Sequence, residues 1–178
     1  MSESECDQIV DALASCGINF LAIDFDMTLI SEHTGGHWRG TAPDLAARVR
    51  PMFKTLIPKV MDHGICVAIV TFSAQCNLIQ QVLRQEFPTY FDHIPIRGED
   101  KTWEYHGGGS REGKQKHMAS AGEALAETSG LDITRDTTLL IDDDGNNIRI
   151  ALANKVRAIR FVPDNPNKYV HCSSCPFE

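Results

Sequence analysis

Three short apolar runs in this chain each stop abruptly on oxygen-bearing side chains. Residues 20–23 (FLAI) run into Asp24, Asp26 and Thr28; residues 65–70 (ICVAIV) run into Thr71 and Ser73; residues 137–141 (TTLLI) run into Asp142, Asp143 and Asp144. Runs of this length, apolar throughout rather than at alternate positions, read as strands buried on both faces of a parallel sheet. Residues 156–162 (VRAIRFV) read as a fourth strand. Helical spacing falls between the strands: over 7–16, where Ile9, Val10 and Leu13 precede a stop at Gly17; over 43–63, from Pro43 to the stop at Gly64; over 74–86, capped by Ser73; and over 113–129. Pro51 and Pro58 are points at which the 43–63 helix is expected to kink or divide. Residues 31–40 read as a loop. Residues 91–109 are ambiguous, with a short strand at 93–96 and a flexible Gly107, Gly108, Gly109 turn as candidates.

Alternation of strand and helix predicts an α/β fold: a three-layer α/β/α, Rossmann-like domain with a mostly parallel central sheet. One domain over 1–178 is expected, with a core over about 18–163 and a tail over 164–178. Right-handed crossovers leave the C-terminal strand ends on one edge, where ligands of open α/β sheets bind. The oxygen-bearing residues after the runs should therefore converge.

Several carboxylates held together repel one another and call for a cation; an all-oxygen donor set suits Mg2+. An ionised carboxylate beside the metal can attack phosphorus, and a second carboxylic acid can protonate the leaving oxygen and then activate water. Asp24 and Asp26, two apart beyond a strand, fit that division of labour. A single Asp at a strand end is commonly a turn residue or helix cap; three such clusters, each at the end of an apolar run, weigh against that reading.

At these positions the chain resembles the haloacid dehalogenase-like superfamily of phosphohydrolases. FLAIDFDMTLI matches its first motif at Asp24, Asp26 and Thr28, ICVAIVT its second at Thr71, GKQKHM its third at Lys114 with Lys116 as competitor, and TLLIDDDGNNI its fourth. The K-x-x-H step (Lys114, His117) and D-D-x-x-x-N pattern (Asp142, Asp143, Asn147) are similar to the superfamily's magnesium-dependent phosphatase group. The resemblance implies Asp24 as nucleophile and Mg2+ ligand, Asp26 as general acid/base ligating through its backbone carbonyl, and Lys114 as partner of Asp24 and the phosphoryl group. It implies Thr71, with Phe72 and Ser73, as the phosphate-binding segment. Thr28 would stabilise the turn at the substrate site, Asp143 would ligate Mg2+ with Asp142 beside it, and Asn147 would support the loop. The intervals 29–64 and 74–113 leave little room for a folded cap, so the resemblance implies an open site suited to a bulky phosphorylated substrate such as a phosphoprotein.

His33, His37, Trp38 and Arg39 are candidates for substrate contact, against the plainer reading that they are solvated. Trp103, Tyr105 and His106 either wall the pocket or cover the core. Arg97 and Lys101 read as surface charges.

Lys and Arg total 17 against 24 Asp and Glu, a net charge of −7. That argues against nucleic acid or an anionic membrane as partner. No apolar run approaches the ~20 residues that span a bilayer, and the first residues lack the pattern of a secretory signal. A cytoplasmic location is expected, the nucleus being compatible too. Six scattered cysteines do not form a secreted disulfide framework. Cys66 reads as a small buried hydrophobe, while Cys172 and Cys175 with His171 pose either a redox or structural pair or a frayed end. Two other functions remain compatible with these residues: a phosphotransferase or nucleic-acid-end phosphatase with the same nucleophile, and a silent binding protein on the same fold.

Overall fold

The sheet is built from the apolar runs. In the computed structural model, which describes residues 3–104 and 109–162, five parallel strands lie in the order β3-β2-β1-β4-β5. They are β1 (Phe20–Ile23), β2 (Cys66–Val70), β3 (Ile96–Arg97), β4 (Thr138–Asp142) and β5 (Arg157–Arg160). Every residue of β1 and β4 is buried, which is why neither shows alternation in the sequence. Among the described residues, six α-helices accompany them: α1 (Glu3–Ser15), α2 (Ala42–Ala46), α3 (Pro51–Asp62), α4 (Cys76–Glu86), α5 (Gln115–Ser129) and α6 (Gly145–Ala153).

The period of two along each strand sorts the core into two layers. Leu21, Ile23, Val67, Ile69, Leu139 and Ile141 face a layer that includes Val10 and Leu13 of α1, Leu45 of α2, Phe53 and Ile57 of α3, and Ile79 and Leu83 of α4. On the other face, Phe20, Ala22, Ala68, Val70 and Leu140 meet Met118 and Ala121 of α5 and Ala151 of α6. The second face is rich in alanine, which lets two helices approach the sheet closely. Fully burying a Phe or Leu side chain contributes ~1.5–3 kcal/mol, so the two layers supply most of the drive to fold. The expected three-layer α/β/α architecture with a parallel sheet is what the chain adopts.

The elements differ from expectation in four places. The 43–63 helix is two helices, because residues 48–50 leave helical geometry to pair with the segment after β1: Ile30 bridges Val49 in antiparallel fashion, Ser31 N–H donates to the Arg48 carbonyl (2.9 Å) and Arg50 N–H to the Leu29 carbonyl (2.9 Å). Pro51 then opens α3, where its missing N–H costs nothing, and Pro58 lies within that helix without ending it. Ser73 is not the cap of α4, which begins after Gln75; its hydroxyl accepts the Gln75 N–H (3.1 Å) in a local turn. The strand expected at 93–96 is Ile96–Arg97, since Phe91–His93 coil into a 3-10 turn. Cys66 is half-buried against the second layer rather than fully enclosed. Tyr105, His106, Gly107, Gly108, and His171, Cys172 and Cys175 of the tail, lie outside the described residues. None of the described helices is long and apolar enough to cross a membrane.

Candidate functional site

Sheet register decides which side chains meet. Ile23 of β1 pairs with Ile69 of β2 on one side and Ile141 of β4 on the other. The next residues, Asp24, Val70 and Asp142, therefore stand level, and Asp24 N–H donates to the Ile141 carbonyl at 2.9 Å. Asp24 is buried and opens a tight turn, residues 25–29, in which Met27 takes a left-handed conformation (φ 60°). That costs a side-chain-bearing residue free energy, and Arg50 compensates: its guanidinium donates to the Met27 carbonyl (3.1 Å) and the Thr28 carbonyl (3.1 Å). Thr28 is fully buried, and its hydroxyl accepts the Asp143 N–H at 3.1 Å. It ties the β1 turn to the β4 turn and does not face the opening, so its place is that of a turn brace rather than a substrate contact.

Lys114 precedes α5 and is almost wholly buried. Its ammonium lies 2.7 Å from Asp24 Oδ1 and 2.7 Å from the Val70 carbonyl, with the Phe72 ring 4.6 Å away. Gly113, in a left-handed conformation (φ 59°) and packed on Ile150, turns the chain so that Lys114 points inward. Lys116, the other candidate, is exposed and pairs with Glu112 one helical turn away, whereas Lys114 is the lysine placed against Asp24. Behind Lys114, the His117 ring meets Phe72 and Trp103 edge-on, with centroids at 5.3 and 5.0 Å. Burial, with the Lys114 charge adding to it, pushes His117 down to about 3, so the ring stays neutral.

Asp142 ends β4. Its Oδ1 accepts Asp144 N–H and its Oδ2 accepts the Asn147 amide, each at 2.9 Å. Asp24, Asp142 and Asp143 each present an oxygen within 4.8 Å of the others. Burial, and then the Asp24 charge, raise Asp142 to about 7, and the same two causes raise Asp143. A cluster of hard oxygen donors with more negative charge than Lys114 offsets is chemically suited to a divalent cation. The donor set fits Mg2+.

Asp26 stands apart from that trio, and its carboxylate is held by Thr34. Burial raises its pKa, and Asp24 adds to the rise, against hydrogen bonds from Thr34. Asp24, Asp26, Thr71, Phe72, Ser73 and Lys114 line one opening of about 410 Å³, together with Asp142, Asp143 and Asn147. Gly98 of the chain after β3 packs closely under the segment 71–73: a Cβ there would stand 2.4 Å from the Ser73 carbonyl and 2.5 Å from Cys76 Sγ. Every expected site residue thus falls at the opening except Thr28. Of the loop candidates, His33 lines it, His37 and Arg39 are exposed elsewhere, and Trp38 packs on the core. Trp103 sits behind His117, donating to the Gly98 carbonyl at 2.8 Å. Arg97 is no plain surface charge: it donates to Ser120 Oγ at 2.8 Å. Thr34, Arg50, Gln75 and Gly98 were not singled out by sequence, because each acts through a contact between distant loops.

No model of a protein family matches the chain, and no curated protein matches it. Solved structures with some likeness include an uncharacterised protein from Corynebacterium glutamicum (16% identity, 82% of this chain and 85% of that one, TM-score 0.45). Another is a hypothetical protein from Xanthomonas campestris (17%, 84% and 66%, 0.48). A third is DsGPDH of Dunaliella salina (11%, 83% and 23%, 0.47). Likenesses this distant carry nothing about chemistry.

Proposed function

We propose that the chain is a Mg2+-dependent phosphatase that hydrolyses a phosphate monoester through an aspartyl-phosphate on Asp24, on a haloacid dehalogenase-like fold. The observation that carries this reading is the pairing of Lys114 Nζ with Asp24 Oδ1 at 2.7 Å in the same opening as Asp26, Asp142 and Asp143. The lysine charge lies directly against a carboxylate oxygen of Asp24, and an ionised carboxylate is a competent nucleophile.

Asp24, Asp142 and Asp143 would hold Mg2+, which when bound neutralises the carboxylates and the phosphate oxygens. An oxygen of Asp24 forms the new bond to phosphorus as the bond to the leaving oxygen breaks, and Asp26 gives that oxygen its proton. Asp26, now ionised, takes a proton from water; the water oxygen bonds to phosphorus, the bond to Asp24 breaks, and inorganic phosphate leaves. Lys114 offsets charge on the transferring group, Thr71 and the backbone of Phe72 and Ser73 receive its oxygens, and the neutral His117 adds no second charge behind Lys114. Among the described residues, 29–64 and 74–104 are occupied by α2, α3, α4 and β3, leaving loop 31–40 as cover. Such an opening suits a substrate that extends into solvent, such as a phosphoprotein.

The test is hydrolysis of an aryl phosphate with Mg2+, with EDTA, and by Asp24→Asn. Activity that needs the metal and disappears in Asp24→Asn is expected. A folded, Mg2+-binding protein inert toward aryl, alkyl and peptide phosphates alike would instead favour a binding role. Higher kcat/KM for phosphopeptides than for small phosphates is expected; parity would remove the bulky-substrate reading.

A further inference from the structure

Asp26 lies where β1 no longer controls it. Its backbone is extended (φ −67°, ψ 134°) between Phe25 and the left-handed Met27. Its carboxylate is gripped instead from loop 31–40. Thr34 N–H donates to Oδ2 (3.1 Å), Thr34 Oγ1 stands 2.9 Å from Oδ1 and 2.8 Å from Oδ2, and His33 Nδ1 is 3.5 Å from Oδ2. The loop is itself pinned on both walls of the opening. Met27 N–H donates to the Glu32 carbonyl (3.0 Å) on the β1 side. On the β2 side Trp38 N–H donates to Gln75 Oε1 (2.5 Å), the Gln75 amide returns a bond to the Trp38 carbonyl (3.3 Å), and Gln75 N–H donates to Ser73 Oγ. Thr34 is thus held in a fixed span between the nucleophile turn and the phosphate-binding segment.

We propose that Thr34 is a positioning residue for Asp26, holding its carboxylate in place at the opening for its work on the leaving group and on water; the proposal rests on the phosphatase reading above. The two contacts differ in chemistry. The Thr34 N–H only donates, to Oδ2, while the Thr34 hydroxyl lies within reach of both oxygens. A hydroxyl donates or accepts, so Thr34 Oγ1 keeps its hydrogen bond to Asp26 whichever of the two carries the hydrogen. It already accepts the Gly36 N–H (3.3 Å) with one lone pair, leaving the other for Asp26. An acid that changes protonation state twice per turnover needs a partner of this kind, and valine, of similar shape, cannot be one.

The test measures kcat/KM for Thr34→Val, Thr34→Ala and Thr34→Ser against an alkyl phosphate and an activated aryl phosphate, with saturating Mg2+. Departure of an alkoxide depends on the acid, while a stabilised phenolate leaves without one. Losing the grip on Asp26 is expected to lower kcat/KM for the alkyl phosphate by ~10²-fold and for the activated aryl phosphate by only a few-fold, with Thr34→Ser close to the unsubstituted protein. Equal losses on both substrates, or a rise in activity on removing the hydroxyl, would overturn the proposal. An unsubstituted protein with no Mg2+-dependent activity on either substrate would remove the phosphatase reading and this inference together. Thr34→Ala carries the same expectation if Thr34→Val does not fold.

Discussion

Lys114 is a cation almost entirely out of water, compensated by one carboxylate, one carbonyl and the face of Phe72. Lys114→Met keeps the bulk of the stem and removes the charge. Phosphatase turnover should fall by ~10²–10³-fold, as when one preorganised electrostatic partner is deleted from an active site. Lys116→Met, which removes an exposed pair with Glu112, should leave turnover intact. Comparable losses in both variants would place the catalytic lysine wrongly. Sequence alone left this choice open for a simple reason. Near a helix start each residue swings the side chain by about 100°, so a shift of two positions reverses direction, and the helix boundary could not be placed that finely. Asp24, Asp26, Thr71, Asp142 and Asp143 were legible because each stands at or just beyond the end of an apolar run. Thr34 and Arg50 were not, since nothing local distinguishes a threonine that grips a carboxylate from one that faces water.

At the level of elements, the turn after β2 is packed by the chain after β3. Gly98 passes so close to Ser73 and Cys76 that any side chain displaces backbone. Gly98→Ala should destabilise the fold by ~1–3 kcal/mol, the usual cost of overpacking, and should raise KM, because the displaced residue is Ser73. Chemical denaturation and steady-state kinetics check both; a variant with normal KM and stability would show that the turn does not need this close approach. The strands and most helices were readable from apolar period and from Gly and Pro stops. The division of 43–63 was readable only as a candidate break at Pro51, because its cause is the pairing of Val49 with Ile30, a contact between separate segments.

For the whole molecule, the acidic cluster links folding, pH and metal. Asp142 is raised from its ordinary value of 3.8 to about 7, chiefly by burial and then by the Asp24 charge; Asp26 and Asp143 shift in the same direction, burial again first. Across the window between those two values the metal-free native state holds protons that the unfolded chain has released. Its stability must therefore fall as pH rises from about 4 to about 7, and level off above. A divalent cation competes with those protons, so the Tm gain from Mg2+ should grow over the same window. Thermal unfolding with EDTA and with Mg2+, at several pH values, checks this. Asp142→Asn should flatten the metal-free slope; an unchanged slope would mean that Asp142 is not the group responsible.

The most direct test of the central claim is chemical trapping on Asp24. Brief turnover of a phosphate monoester with Mg2+, followed by acid quench and borohydride, reduces an aspartyl-phosphate to homoserine. Homoserine is expected at position 24 in the peptide mass spectrum, dependent on both substrate and Mg2+ and lost in Asp24→Asn. Rapid turnover with no modification at position 24, or modification at another carboxylate, would contradict it.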